Sequence, residues 1–231
     1  MVLFVSLGPG EAELITLKGL RSLEQTDCIL CPATVTGSGV VSSRAADILH
    51  QLGIDGEKIN LFPLPMNKDR SQALRVYDEM YEKAVALQKQ SRRVVIVAEG
   101  DAGFYSSIHY IYDRLRATGI PAGFVPGIPA FIACGARAGL HIAQQEERLV
   151  VIPGNTTAGE LQTFLQSGTT VAIMKVSQCA DELHRFITIY PDYKYYYFEN
   201  VGTDKEYYST DTSELQGKQF PYFSLMIIKK E

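Results

Sequence analysis

Residues 94–117 read VVIVAEGDAGFYSSIHYIYDRLRA, and the character of the chain changes twice within that stretch. Val94 to Val97 is β-branched at every position with no polar residue alternating through it. Such a run reads as a strand covered on both faces, as in a parallel sheet. Ala98 to Ser107 then supplies a turn. Gly100 and Gly103 let the backbone approach a ligand closely, and Asp101 offers a fixed acceptor. Ser106 or Ser107 is placed to cap a helix running to Ala117, whose first amides favour an anionic group. A buried strand passing through a glycine turn into a helix is the unit of a doubly wound α/β layer, which gathers ligands at its strand C-termini.

Toward the N-terminus the same rhythm repeats. Leu3 to Leu7 predicts a first strand, followed by Ser6-Leu-Gly-Pro-Gly10 and a helix opened by Thr16 with Leu17, Leu20 and Leu23 on one face. The glycines are not a dinucleotide fingerprint, because Pro9 removes an amide in mid-turn and a third glycine is missing. A short strand is expected at Cys28 to Cys31. Ser42 or Ser43 caps the next helix, with Ala46, Leu49 and Leu52 inward and Gly53 at its end. Ser71 caps a longer one carrying Leu74, Tyr77, Tyr81, Ala84 and Val85 at helical spacing. A third turn, Val125-Pro-Gly-Ile-Pro-Ala-Phe131, again joins a strand to a helix. Three such turns belong along one edge of a sheet, and their coincidence predicts a ligand site there.

The turn cluster Gly119 to Gly123 divides the chain into two expected domains, a parallel α/β domain over 1–118 and a mixed α/β domain over 122–231. The second begins with a strand at Leu149 to Ile152 and a helix whose start, Thr157-Ala-Gly-Glu160, has capping-box spacing. A strand at Thr170 to Val176 and a helix through Leu183, Phe186 and Ile187 follow. Strands at Tyr193 to Phe198, Glu206 to Ser209 and Phe223 to Ile228 then come without helices between them, which predicts antiparallel pairing and a mixed sheet. Alternation along one strand accounts for the aromatic cluster Tyr190 to Phe198, with one face on the core.

With 231 residues, 46% hydrophobic and 21% charged, the chain has the means to build real cores. Disordered and fibrous classes are excluded. The net charge of −4 disfavours a nucleic-acid binder, which carries a basic excess. No apolar run reaches the ~18 residues of a membrane span, so the protein reads as cytosolic. Cys28 and Cys31 are spaced as CxxC, but in an extended apolar segment a small buried thiol is ordinary core filling. The four histidines are scattered without ligand spacing, and no protein-held metal is expected.

The order GPGE, EGDAGFYSS, VPGIPAF, Ala172-Ile-Met-Lys-Val176 and Phe198-Glu-Asn-Val-Gly202 resembles the tetrapyrrole methylase family over nearly the whole chain. Within it, Leu64-Pro-Met-Asn-Lys-Asp69 and EGDAGFYSS are most similar to the branch that methylates C20 of precorrin-2 or cobalt-factor II. The resemblance implies S-adenosylmethionine as cofactor, a place in cobalamin biosynthesis, a homodimer, and a cofactor cleft between an N-terminal parallel and a C-terminal mixed α/β domain. It also implies site residues. Gly8, Pro9 and Gly10 shape the floor of the cleft, and Glu99, Gly100 and Asp101 lie against the cofactor. Phe104, Ser106, Ser107 and the Pro129-Ala130 turn are further cofactor positions in the first half, with Pro129 carried over only as a shape-forming residue. Met174, Val201 and Gly202 are the matching positions in the second.

In-line attack of a ring carbon on a sulfonium methyl needs positioning more than a nucleophile. A base is still required if a meso hydrogen is lost afterwards, and Asp101, Tyr105 or water are the candidates. A polycarboxylate substrate calls for cations around the cleft, and Lys68, Arg70, Arg137 and Lys175 are placed to bind it. Three positions depart from the family pattern. Glu11 stands where GPGD is common, Ala102 where GDP is common, and Pro129 where a serine or threonine is common. Relatives acting on another corrin position, on ribosomal RNA ribose or on a diphthamide precursor are the alternatives. So is a cofactor-binding relative without catalysis. The acidic balance argues against an RNA substrate.

Overall fold

The computed structural model describes residues 1–35, 41–65 and 70–230, with only the backbone at Arg70. It divides into two compact units, Met1–Pro129 and Ala130–Glu231. The division falls later than the expected 118/122 boundary because the strand at 122–125 pairs with the first strand and so belongs to unit 1.

Unit 1 is built on β1 (Val2–Ser6), α1 (Leu17–Gln25), β2 (Cys28–Val35), β3 (Val41–Ser42), α2 (Arg44–Gln51), β4 (Ile59–Pro65), α3 (Arg70–Lys89), β5 (Val94–Ala98), α4 (His109–Ala117) and β6 (Ala122–Val125). The sheet runs β3-β2-β5-β1-β6, with β4 also paired to β2. All its pairings are parallel except that of the two-residue β3. Every residue of β5 is buried, as its unbroken β-branched run requires. Helices cover both faces. One core joins Phe4, Leu30, Tyr77, Met80, Ile96, Ile111 and Leu115 under α3 and α4, and the other joins Val5, Leu23, Ile29, Leu49 and Val97 under α1 and α2. Cys28 lies in the first core and Cys31 in the second, so the CxxC thiols face opposite sides of the sheet, as three-residue spacing along a strand dictates.

The cap residues act as their spacing predicts at two helices. Thr16 accepts from the Gly19 amide (3.1 Å) and Ser43 from Ala46 (3.1 Å). Elsewhere the structure corrects the sequence reading. Leu17 stands exposed at the first position of α1, and α3 begins before Ser71, which lies inside it. Leu74 is exposed, whereas Tyr77 and Ala84 are buried. Neither Ser106 nor Ser107 caps α4; that helix starts at His109, behind Ile108, with no side-chain cap. Strand β4 has no counterpart among the expected elements. Its two prolines, Pro63 and Pro65, suppress the strand signal, and they are tolerated because, among the described residues, β4 pairs on one side only.

Unit 2 comprises α5 (Ala130–Arg137), β7 (Leu149–Ile152), α6 (Ala158–Gln166), β8 (Thr170–Met174), α7 (Ala180–Ile189), β9 (Lys194–Glu199), β10 (Tyr207–Ser209), α8 (Thr212–Leu215) and β11 (Ser224–Lys229). Its sheet order is β10-β9-β11-β8-β7. β7 and β8 are parallel and the other three pairings antiparallel, the mixed sheet predicted from helix-free succession. The capping box forms as read: Thr157 Oγ1 accepts from the Glu160 amide and Glu160 accepts from the Thr157 amide. Tyr195 and Tyr197 point into the core with Phe186 and Phe220, and Phe198 is buried against Tyr208. Among the described residues no helix is long and apolar enough to cross a membrane.

Candidate functional site

The three turns of unit 1 do meet at one edge. β1, β5 and β6 are parallel neighbours, so their C-terminal ends deliver Gly8–Gly10, Glu99–Gly103 and Pro126–Pro129 side by side. The first two are stitched by backbone: the Gly8 amide donates to the Gly100 carbonyl (3.1 Å) and the Gly100 amide to the Gly8 carbonyl (2.7 Å). Both glycines sit at positive φ, +82° and +65°, which an L side chain rarely adopts.

A buried serine completes the stitching. Ser6, at the end of β1, is fully buried; its hydroxyl donates to the Val125 carbonyl (2.7 Å) and accepts from the Ala102 amide (2.8 Å). One side chain thereby ties β1 to the second turn and to β6. The bond also explains Ala102. A proline there, as the family pattern commonly has, would supply no amide for Ser6. The close approach extends to Gly127, where a Cβ would collide with the Ser6 Cβ and lie 2.8 Å from the Gly100 carbonyl oxygen.

Asp101 is the second tie. Its carboxylate accepts from the Gly103 amide (2.8 Å) within its own turn and from the Gly127 amide (2.7 Å) in the third. With each oxygen held by a main-chain amide, Asp101 fixes the geometry of two turns. Tyr105, by contrast, stands 46% exposed in the left-handed region, φ +49°, beside Phe104. A bulky residue held there carries strain that the surrounding turn must offset. Glu99 is partly buried and ion-paired to Arg44, a residue the sequence did not single out. Burial pushes its carboxyl above the ordinary range; the guanidinium pulls it back and Asp47 adds to the rise.

Unit 2 collects its expected residues on one edge as well. β8 and β9 both run antiparallel to β11, so their C-terminal ends coincide. Met174 ends β8, and Lys175 follows it at φ +54°. Val201 and Gly202 form the turn after β9. Arg137 is ion-paired with Glu206, whose other oxygen accepts from the Gly202 amide (2.9 Å), so this arginine braces the Val201–Gly202 turn. Lys68 lies outside the described residues, as does the side chain of Arg70. A separate cavity of about 680 Å³ in unit 2 is lined by Glu160, Asp181 and Glu182, the wrong sign for a polycarboxylate.

The edge of unit 1 has the form of a cradle for a small ligand. A Cβ placed on Gly100 would come into ordinary contact with the Pro129 Cα, at 3.9 Å, so the second and third turns lie close together there. The profile of the tetrapyrrole (corrin/porphyrin) methylases matches residues 1–216. The chain belongs to the tetrapyrrole methylases. A precorrin-2 C(20)-methyltransferase of Sinorhizobium sp. is 29% identical to this methylase across 97% of its chain and 93% of the relative. A probable cobalt-precorrin-2 C(20)-methyltransferase of Methanocaldococcus jannaschii is 28% identical across 78% and 74%. Solved structures share the fold of the methylase. A cobalt precorrin-4 methyltransferase superposes with a TM-score of 0.74 at 18% identity, covering 99% of this chain and 94% of the other. A Thermus thermophilus uroporphyrin-III C-methyltransferase in complex with S-adenosyl homocysteine gives 0.69 at 17%, covering 99% and 96%.

Proposed function

We propose that this methylase transfers a methyl group from S-adenosylmethionine to C20 of precorrin-2 or cobalt-factor II in cobalamin biosynthesis. The observation that carries the cofactor assignment is the glycine cradle: two turns at the strand ends stitched backbone to backbone through Gly8 and Gly100, both at positive φ. The likeness to two C(20)-methyltransferases, one of them along 97% of the chain, supports the position on the ring.

The cofactor, when bound, supplies an electrophilic methyl on a sulfonium, already a good leaving group. The chain's own contribution is placement. Main-chain groups of Gly8–Gly10 and Glu99–Asp101 would hold it from unit 1, with Phe104, Ser106, Ser107 and Pro129 beside them. Ala130, Met174, Val201 and Gly202 are the further cofactor positions that the family resemblance implies. Ser6 and Asp101 keep the turns of unit 1 from relaxing, so positioning costs little at the moment of reaction. Lys68, Arg70 and Lys175 bind substrate carboxylates; Arg137 can do so while keeping Glu206 as its partner. With Asp101 used as a tie, the proton lost from the methylated meso carbon passes to water, for which Tyr105 would act as a relay that gives up its phenolic proton as it takes one. The chain works as a homodimer in this reading.

Incubating the protein with S-adenosylmethionine and precorrin-2, or cobalt-factor II, tests the proposal. The expected product is one methyl heavier with the new carbon at C20 by NMR. A methyl at another carbon would overturn the ring position, and no transfer to either macrocycle would overturn the substrate.

A further inference from the structure

Arg44 opens α2, immediately after the cap residue Ser43. A cation in the first turn of a helix faces the positive end of the helix field and is disfavoured there. A residue that breaks a local rule needs a compensating interaction, and here it is found across the sheet edge. The Arg44 side chain is one-fifth exposed; Nη2 donates to the Pro9 carbonyl (3.1 Å) and Nε stands 3.4 Å from Glu99 Oε2. One guanidinium thus touches the first turn through a carbonyl and the second through a carboxylate. It does so beside the paired Gly8 and Gly100 amides, which join the same two turns.

Building on the cofactor assignment above, we propose that Arg44 is a positioning residue that clamps the Gly8-Pro9-Gly10 turn to Glu99 and holds the cofactor cradle in its binding geometry. Pro9 has no amide, so its carbonyl is the polar group that turn offers to a clamp. A guanidinium presents several donors in a fixed fork and serves two acceptors at once, which a lysine ammonium does less well. On its Glu99 side the clamp is an ion pair at 3.4 Å rather than a hydrogen bond, and it is strongest when Glu99 is ionised. Among the described residues, the groups facing Glu99 are Arg44 and Asp47 from α2 and Cys31 from β2, with Asp101 two residues onward in the same turn. Protonating Glu99 removes the partner of Arg44 and slackens the first turn, so cofactor affinity falls on the acid side. Arg44 itself sets where that fall occurs, because it holds the Glu99 carboxyl below the position that burial alone would give.

The test is calorimetric titration of S-adenosylhomocysteine, which binds without turnover, from pH 4.5 to 9. The proteins are wild type, R44Q, R44K, E99Q and R44Q/E99Q. For R44Q the expected result is roughly tenfold weaker binding at pH 7.5 with the acid limb lost, because no cation remains for the ionised Glu99 to hold. R44K retains the charge, so its limb stays near the wild-type position while its affinity lies between the two. E99Q and the double variant lose the limb. A general loss of packing would weaken binding and leave the limb in place. An R44Q limb at the wild-type pH, or a limb that persists in E99Q, would overturn the clamp while leaving the cofactor assignment intact. Wild-type protein that does not bind S-adenosylhomocysteine at any pH would overturn the cofactor assignment and the clamp with it.

Discussion

Replacing Asp101 separates a tying role from a proton-accepting one. The carboxylate receives two main-chain amides, Gly103 at 2.8 Å and Gly127 at 2.7 Å. Asparagine keeps one oxygen and turns an NH₂ toward the other amide, so one bond becomes a donor–donor contact. Alanine loses both bonds, although water reaches the more exposed Gly103 amide. A hydrogen bond to a charged group contributes about 1.5–3 kcal/mol. With one partner exposed, the expected cost of either substitution is about 2 kcal/mol. In a unit of this size that lowers Tm by roughly 6 °C. The same loosening separates the second turn from the third, so S-adenosylhomocysteine affinity should fall about tenfold while kcat at saturating cofactor stays within about tenfold of wild type. Thermal melts, titration calorimetry and steady-state methyl transfer measure the three quantities. If Asp101 were a proton acceptor whose bonds held nothing in place, D101N would leave melting and affinity unchanged and cut kcat by roughly 10²–10⁴. That pattern would refute the tying role.

Three other substitutions or reactions probe the same framework. Ser6→Ala strips a partner from the buried Ala102 amide and Val125 carbonyl, and urea denaturation should show unit 1 destabilised by about 2–4 kcal/mol. Ala102→Pro, which restores the common family residue, should destabilise this chain because it deletes the amide that Ser6 accepts. A melting temperature at or above wild type would contradict the role given to Ser6. All four cysteines are buried, and burial pushes the thiols of Cys31 and Cys179 up to about 11 and raises Cys28 and Cys134 as well. The thiolate is therefore scarce at pH 8. A disulfide-exchange reagent should find no fast thiol in the native protein and four after denaturation.

Local chemistry made the main features of unit 1 readable. The unbroken β-branched run at 94–97 announced a central parallel strand, and three Gly/Pro turns announced one ligand edge, because both signals sit within a few consecutive residues. Ser6 and Arg44 could not be read in the same way. Ser6 lies in a strand pattern where its neighbours are all apolar, and its partners are 96 and 119 residues distant. Only the register Ser6↔Ala98 brings them within reach. Arg44 looks like any exposed cation on an amphipathic helix until α2 is docked on the sheet. The misread cap of α4 has a related cause. Two serines before an apolar run are a sound cap signal, yet a second turn fixed by Asp101 and Ser6 delays the helix to His109.

Each of the three ties in unit 1 uses a different chemistry to join turns that are distant in sequence. Ser6 is neutral and wholly buried, a setting in which an unsatisfied hydroxyl would be costly and a satisfied one is rigid. Asp101 is a carboxylate on main-chain amides. Arg44 is a cation shared between a carbonyl and a carboxylate. Unit 2 repeats the device, with Glu206 held by Arg137 while it accepts the Gly202 amide and with Lys229 shared between the His141 carbonyl and the Glu147 carboxylate. Methyl transfer from a sulfonium asks little of the protein beyond holding two reactants in line, and small misplacements are costly to rate. In such an enzyme the polar side chains that matter most for rate are those whose hydrogen bonds are spent on the backbone. Substituting them should therefore change cofactor affinity and geometry before it changes the chemical step.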